Sequence, residues 1–146
     1  GPKHPGHRMR AVGLDIGERR VGIARTDETG ILAVPHGVYR RRGSPEDLEE
    51  LAGIIRGIGA EALVVGLPLN MDGTEGPQAQ KVRELAEALA QNLKLPLFFV
   101  DERWTTKEAE RAMREAGGRP SRRKGKVDEL SAVLILQAWL AGRTLV

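Results

Sequence analysis

Apolar positions along this chain change their period twice. Residues 11–16 (AVGLDI) form a short apolar run ending at Gly17, and residues 21–26 (VGIART) follow across a polar Gly-Glu-Arg-Arg turn. Runs of this length between turn residues predict two buried strands paired as a hairpin. Asp27 to Gly30 mark a second turn, and residues 31–39 predict a third strand. Its Pro35 favours a sheet edge, because proline cannot donate to the ladder. From Ser44 the spacing becomes helical. Ser44 as N-cap, Pro45 at the first helical position, and Glu46 and Asp47 at the positive end of the dipole predict a helix start. Leu48, Leu51, Ala52, Ile54 and Ile55 give its apolar face, up to Gly57 and Gly59. Residues 62–65 then predict a strand, and residues 77–92 a helix with Val82, Leu85, Ala86 and Leu89 inward. Residues 97–100 predict a fifth strand running into Asp101 and Glu102. Thr105 with Glu108 has capping-box form and opens a helix ending at Gly117-Gly118. A last helix from about Val127 to Ala141, apolar almost all round, ends with Gly142 as its C′ residue.

The order is β-β-β-α-β-α-β-α-α. Three antiparallel strands feeding two crossovers predict an α/β fold with a mixed five-stranded sheet and helices on both faces. That is the element order of the ribonuclease H fold. At 146 residues the chain fits one domain. Residues 1–8 (GPKHPGHR) read as the remnant of an expression tag, leaving residues 9–146 as a single domain.

Composition narrows the chemistry. There is no cysteine, which removes disulfides, thiolate metal sites and cysteine nucleophiles, and fits a reducing cytoplasm. Outside the tag remnant His36 is the one histidine, so a histidine-based zinc site is a poor expectation. No apolar run approaches the roughly 18 to 20 residues that span a bilayer. Net charge is only +3, but the distribution is uneven. Residues 119–126 (RPSRRKGK) hold five cations and no acid, and Arg40-Arg41-Arg42 forms a second cluster. Basic loops on a nearly neutral body suit phosphate contacts, though a solvated loop has the same composition.

Three acidic positions stand out. Asp15 lies inside an otherwise apolar strand, where a carboxylate needs a hydrogen-bond partner or a cation. Asp101-Glu102 ends the last strand, and alternation puts Phe98, Val100 and Glu102 on one face, Phe99 and Asp101 on the other. Periodicity does not say which acid faces Asp15. Asp128 or Glu129, opening the closing helix, can point toward the sheet, and an acid there also suits the helix dipole. Acids from the first strand, the last strand and the closing helix can converge at one edge. Such a cluster repels itself unless protons or cations neutralise it. Hard cations such as Mg2+ or Mn2+ prefer oxygen ligands, and a pair of them can activate water and steady a leaving phosphodiester oxygen.

Four stretches carry a resemblance. Gly13-Leu-Asp-Ile-Gly17 with Arg20-Val-Gly-Ile-Ala24, then Val65-Gly-Leu-Pro-Leu-Asn-Met-Asp-Gly-Thr-Glu75, Val100-Asp-Glu-Arg-Trp-Thr-Thr106 and Asp128-Glu-Leu-Ser-Ala-Val-Leu-Ile-Leu136 occur in family order. On these the chain resembles the YqgF/RuvX family of Holliday-junction-resolvase-like nucleases, also linked to maturation of the small-subunit ribosomal RNA precursor. The resemblance implies an RNase H-like fold and a metal-dependent endonuclease acting on branched DNA, ribosomal precursor RNA or both. It implies Asp15, Glu102 and Asp128 as catalytic, metal-binding acids, with Mg2+ or Mn2+ as cofactor. Ser131 stands where the family more usually has alanine. Better-known junction resolvases of this fold use four acids, and Glu129 could stand in as a fourth. Arg19, Arg103, Lys107, Arg122, Arg123 and Lys124 are candidates for substrate phosphates. Gly17 and Gly22 would let phosphate approach the first hairpin, or simply serve its turn. Residues 70–75 would form a loop beside the site, and Trp104 and Trp139 packing. Two symmetric cuts in a junction would favour a homodimer. The competing readings are a non-catalytic nucleic-acid-binding accessory factor in ribosome assembly or recombination, and a sugar-kinase-like phosphate site, for which the chain is short of a second lobe.

Overall fold

The computed structural model describes residues 9–104 and 124–145. Its elements are β1 (Ala11–Ile16), β2 (Arg20–Thr26), β3 (Ala33–Arg40), α1 (Glu46–Ile58), β4 (Ala62–Leu67), α2 (Pro77–Leu93), β5 (Leu97–Asp101), a 3-10 turn (Glu102–Trp104) and α3 (Lys124–Leu140). The five strands form one sheet in the order β3-β2-β1-β4-β5. The β1–β2 and β2–β3 pairs are antiparallel, while β1–β4 and β4–β5 are parallel, so the expected mixed sheet is present. Pro35 sits on the edge strand β3, where the register slips between Ile23 and Ala24. The helix expected to open at Thr105 lies outside the described residues.

The two faces of the sheet differ in size. Val12, Leu14, Ile16, Val21, Ile23, Leu63 and Val65 face α1 and α2, meeting Leu51, Ile55, Val82 and Leu89 in one core. The other face carries Ala11, Ala24, Ala62 and Val64, and packs against Ala132, Ile135 and Leu136 of α3. Three glycines complete this flat face, one on each of β1, β2 and β4. A methyl group on Gly13 would lie 2.8 Å from Leu136 Cβ and 2.9 Å from the Ala132 carbonyl. One on Gly22 would collide with the backbone of Asp128, and one on Gly66 with Ile135. Glycine weakens a strand interior by about 0.5–1 kcal/mol. Here it lets α3 lie directly on the backbone, which fixes the height and direction of that helix.

Two local expectations change. The third strand begins at Ala33, and Ile31 and Leu32 are exposed in a turn closed by the Asp27 N–H to Leu32 carbonyl bond. A turn satisfied by its own backbone does not need those two side chains in the core. At α1, Ser44 is not the N-cap: the helix starts one residue later, and no side chain caps it. Asp47 instead reaches back from the first turn. Its carboxylate accepts the Arg42 N–H (2.9 Å), the Gly43 N–H (2.9 Å) and the Tyr39 hydroxyl (2.8 Å), with Arg41 Nε at 3.7 Å. Burial pushes this acid up, but those four partners outweigh it and hold it below the ordinary range. Asp47→Ala leaves buried donors unpaired, and we expect it to cost about 2–3 kcal/mol in urea unfolding at pH 7. The sign with pH follows from the lowered value. The Asp47 contribution is full above the unfolded pKa of about 4 and fades as pH falls through the folded one. Parent and variant should therefore converge below about pH 4.

Candidate active site

Asp15, the first of the acidic positions singled out above, is half-buried on the α3 face of β1, directly opposite Gly22. Glu102 follows the last residue of β5. Parallel pairing places Val100 beside Gly66, and the Glu102 side chain passes over that glycine, whose added methyl would lie 2.7 Å from Glu102 Cγ. The Asp15 and Glu102 carboxyl groups are joined by a hydrogen bond. Two carboxylates can bond only through a proton, and burial, first of all, favours keeping one there. The Asp128 charge near Asp15 and the Asp101 charge near Glu102 push the same way.

Asp128 stands in the first turns of α3, with its backbone resting on Gly22. Its charge is felt at Asp15, but its carboxylate is bonded to a cation of the protein: Arg20 Nε donates to Oδ2 at 2.7 Å. So the three expected acids do meet at one edge, yet unequally. Asp15 and Glu102 are in direct contact, and Asp128 is held beside them on Arg20. Among the described residues no three carboxylates or histidines draw together closely enough to hold a metal ion as they stand. Glu129 is half-buried in the same helical turn as Asp128.

Asp101 faces the other way. It is 1 % exposed and accepts from Arg103 through Nε (3.0 Å to each oxygen), Nη2 (2.6 Å) and the backbone N–H (2.9 Å). Burial raises this acid, and the Arg103 bonds more than reverse it. Arg103 also donates to the carbonyls of Asn70 (3.3 Å) and Met71 (3.0 Å). The expected phosphate contact of Arg103 therefore meets a guanidinium already engaged inside the protein. It ties the end of β5 to the loop after β4, which is closed by Asn70 N–H to Thr74 carbonyl (2.8 Å) and by Asp72 with Thr74. The loop carries Met71, 94 % exposed, at its tip. Arg103→Ala strands a buried carboxylate, so we expect a loss of about 3 kcal/mol, with faster amide hydrogen exchange at Gly73 and Thr74.

Of the other expected phosphate ligands, Arg19 is exposed at the β1–β2 turn, beside exposed Arg40 and Arg42. The Arg41 N–H bonds the Arg19 carbonyl (2.8 Å), and the Arg42 guanidinium is paired with Glu50 (3.2 Å). Lys107, Arg122 and Arg123 lie outside the described residues, as does the side chain of Lys124, which opens α3. Gly22 is not open to phosphate, because α3 covers it, and Gly17 closes the turn through its N–H to the Arg20 carbonyl (2.8 Å). Trp139 packs on Phe98, with ring centroids 5.3 Å apart. Arg20 is the residue that sequence reasoning missed, since its partner is 108 positions away. A cleft of about 540 Å³ is lined by Arg10, Arg25, His36 and Ile58, among others. It lies at the opposite end of β1, since Arg25 pairs with Val12.

The same architecture occurs in RuvC of Thermus thermophilus, solved in complex with a Holliday junction substrate. The superposition gives a TM-score of 0.58 at 17 % identity, covering 94 % of this chain and 100 % of the RuvC chain. Sheet and closing helix together define an RNase H-like fold. The chain belongs to the RuvX family, described as Holliday junction resolvase, which it matches over residues 9–142. Among its relatives is a protein of Syntrophomonas wolfei named "Putative pre-16S rRNA nuclease", 46 % identical over 137 residues, 94 % of this chain and 97 % of that one. A protein of Acaryochloris marina with the same name is 47 % identical over 133 residues, 91 % of this chain and 92 % of that one. Among the described residues no helix is long and apolar enough to cross a membrane.

Proposed function

We propose that this chain is a divalent-metal-dependent endonuclease of structured nucleic acid, cutting ribosomal precursor RNA, four-way DNA junctions or both, with Asp15, Glu102 and Asp128 as its catalytic acids. The observation that carries this reading is the convergence of Asp15, Glu102 and Asp128 at one edge of the sheet, where burial and neighbouring acids push the Asp15 and Glu102 carboxyls up. Oxygen donors with no cysteine or histidine beside them suit Mg2+ or Mn2+. Asp15 and Glu102 would hold the cation, with Asp128 beside them. A bound cation would supply Lewis-acid stabilisation of the phosphodiester and a water acidic enough to attack it. The protein contributes the rest. Gly66 leaves room for Glu102 to reach Asp15, and α3 seals one side of the pair from bulk water. The exposed Arg19 and Arg40 would orient the substrate backbone. The chemistry fits a cytoplasmic enzyme, and cutting a junction on both strands would call for a homodimer, which light scattering on the junction complex would detect.

One observation favours the accessory-factor reading: the Asp128 carboxylate is already paired with Arg20 at 2.7 Å. Turnover separates the two. Purified protein is incubated with a four-way junction and with precursor ribosomal RNA, in Mg2+, in Mn2+ and in EDTA. Multiple-turnover cleavage that EDTA stops supports the enzyme. Salt-sensitive binding with no product from either substrate means a binding module.

A further inference from the structure

We infer that Met71 is a wedge for unpaired bases: held out at the acid-bearing edge of the sheet, it takes the face of a nucleobase that has left its stack at a branch point or a single-strand–duplex boundary. The inference rests on the nuclease reading above and deepens it, by naming the feature of structured nucleic acid that is read. Three observations carry it. The first is place. The Met71 loop joins β4 to α2, and β4 lies between two strands that lead to acids: Leu14 of β1 pairs with Val65, and Leu67 with Asp101 of β5. The loop therefore leaves the sheet between the strand of Asp15 and the strand that runs into Glu102. The second is exposure. Met71 is 94 % exposed, against 58 % for Ile31, 55 % for Leu32 and 36 % for Met9, the other large apolar side chains in the open among the described residues. Those three lie at the far end of the sheet, in the β2–β3 turn and before β1. The third is fastening. A single exposed apolar side chain is ordinary surface, but this one is fixed from below. Leu69 packs on the core at the root of the loop. Asn70 Nδ2 donates to Thr74 Oγ1 (3.0 Å), the Gly73 N–H donates back to the Asn70 carbonyl (2.9 Å), and Gly73 turns the chain at φ 88°. Arg103, clamped on buried Asp101, holds the carbonyl of Met71 itself at 3.0 Å.

The chemistry of the tip selects the ligand. A phosphate would meet Asp72 there, while the Arg103 guanidinium is already bonded to Asp101 and to two carbonyls. The face of a base carries no charge and gains from contact with a polarisable thioether, whose unbranched chain can follow its outline. Methionine is among the side chains that proteins insert between base steps. Within a duplex both faces of a base are covered by stacking, so the tip meets a free face only where strands part. A loop ordered in advance loses little conformational entropy on binding, which lets the contact offset part of the cost of unstacking. A nucleotide drawn out of its stack also leaves its phosphate free to approach Asp15 and Glu102.

The test uses two probes carrying 2-aminopurine, which brightens on leaving its stack. One is a four-way DNA junction with the probe at the crossover. The other is an RNA hairpin with it at the first unpaired nucleotide of a single-stranded extension. Linear duplexes of DNA and RNA are the controls, and binding is read in EDTA, where cleavage does not interfere. The parent should brighten the junction, the hairpin or both, and the one that responds identifies the source of the base. Met71→Ala should leave that probe dark and bind it about fivefold to tenfold more weakly, the lower end of what one stacked base contributes. Its affinity for linear duplex and its melting temperature should not move, since the side chain is almost wholly exposed. Met71→Leu should keep most of the brightening and the affinity. A parent that brightens neither probe overturns the inference. So does a Met71→Ala that matches the parent on both, which would leave the tip to a protein partner or to none. Equal losses on branched and linear nucleic acid also overturn it, because they mean a contact with the phosphate backbone, as does a Met71→Leu as weak as Met71→Ala. A probe that brightens but is never cut when Mg2+ or Mn2+ is supplied sinks the nuclease reading and leaves this inference standing.

Discussion

Asp15→Asn should abolish metal-dependent cleavage, by about 10³-fold or more, and at the same time make the metal-free protein more stable. On the proposed reading, the loss of activity follows from removing one of the acids that would hold the cation. The gain in stability follows from the sign of the perturbation. Burial and neighbouring acids push the Asp15–Glu102 pair above its ordinary range. Between the unfolded carboxyl values and the raised folded one, the folded chain binds more protons than the unfolded chain, so stability declines as pH rises through that window. At neutral pH the parent carries that burden, and an amide does not. We expect the melting temperature of the metal-free variant to rise by several degrees, equivalent to about 1–2 kcal/mol. Millimolar Mn2+ should stabilise the parent and leave the variant unmoved. Calorimetry with and without Mn2+, beside cleavage of both substrates, checks all of this. A variant that cuts as well as the parent would remove Asp15 from the reaction.

Gly22→Ala should be among the most damaging single substitutions outside the acids. The new methyl would meet the backbone carbonyl and carbonyl carbon of Asp128, and neither the strand nor the helix has a side chain that can swing away. Relief requires α3 to lift, opening its contacts with Ala24, Val64 and Val100 and carrying Asp128 away from Arg20. Overpacking of this kind costs about 1–3 kcal/mol, and more where backbone must move. We expect about 3 kcal/mol in urea unfolding, with cleavage reduced in whatever fraction folds. Gly53→Ala is the control. Gly53 is an exposed position inside α1 with nothing within 4 Å of the added methyl, so the same substitution should stabilise by about 0.5–1 kcal/mol. Equal effects at the two glycines would mean that α3 does not sit on Gly22 in solution.

How far the chain could be read in advance follows from which interactions are local. Strands β1, β2, β4 and β5 were legible because each is a short apolar run closed by turn residues, and α2 because Pro77 and an apolar stripe bound it. The start of β3 was not, since Ile31 and Leu32 look like strand residues yet lie in a turn that satisfies its own backbone. Ser44 has the chemistry of a cap, but Asp47 takes the neighbouring loop N–H groups with a stronger, charged acceptor. The acids could be nominated singly from their odd surroundings. Element order let them converge at one edge and the family resemblance chose Glu102 over Asp101, but neither contained the ion pair between Arg20 and Asp128.

The order of elements, the oxygen-only character of the site and the alternation that sets Glu102 apart from Asp101 are properties of the sequence, because periodicity and side-chain chemistry act over a few residues. Which acids meet, which is answered by arginine, and that Arg103 holds a loop were decided by the fold. Those outcomes depend on distances between residues far apart in the chain, and here three glycines set them by letting one helix come down onto the sheet.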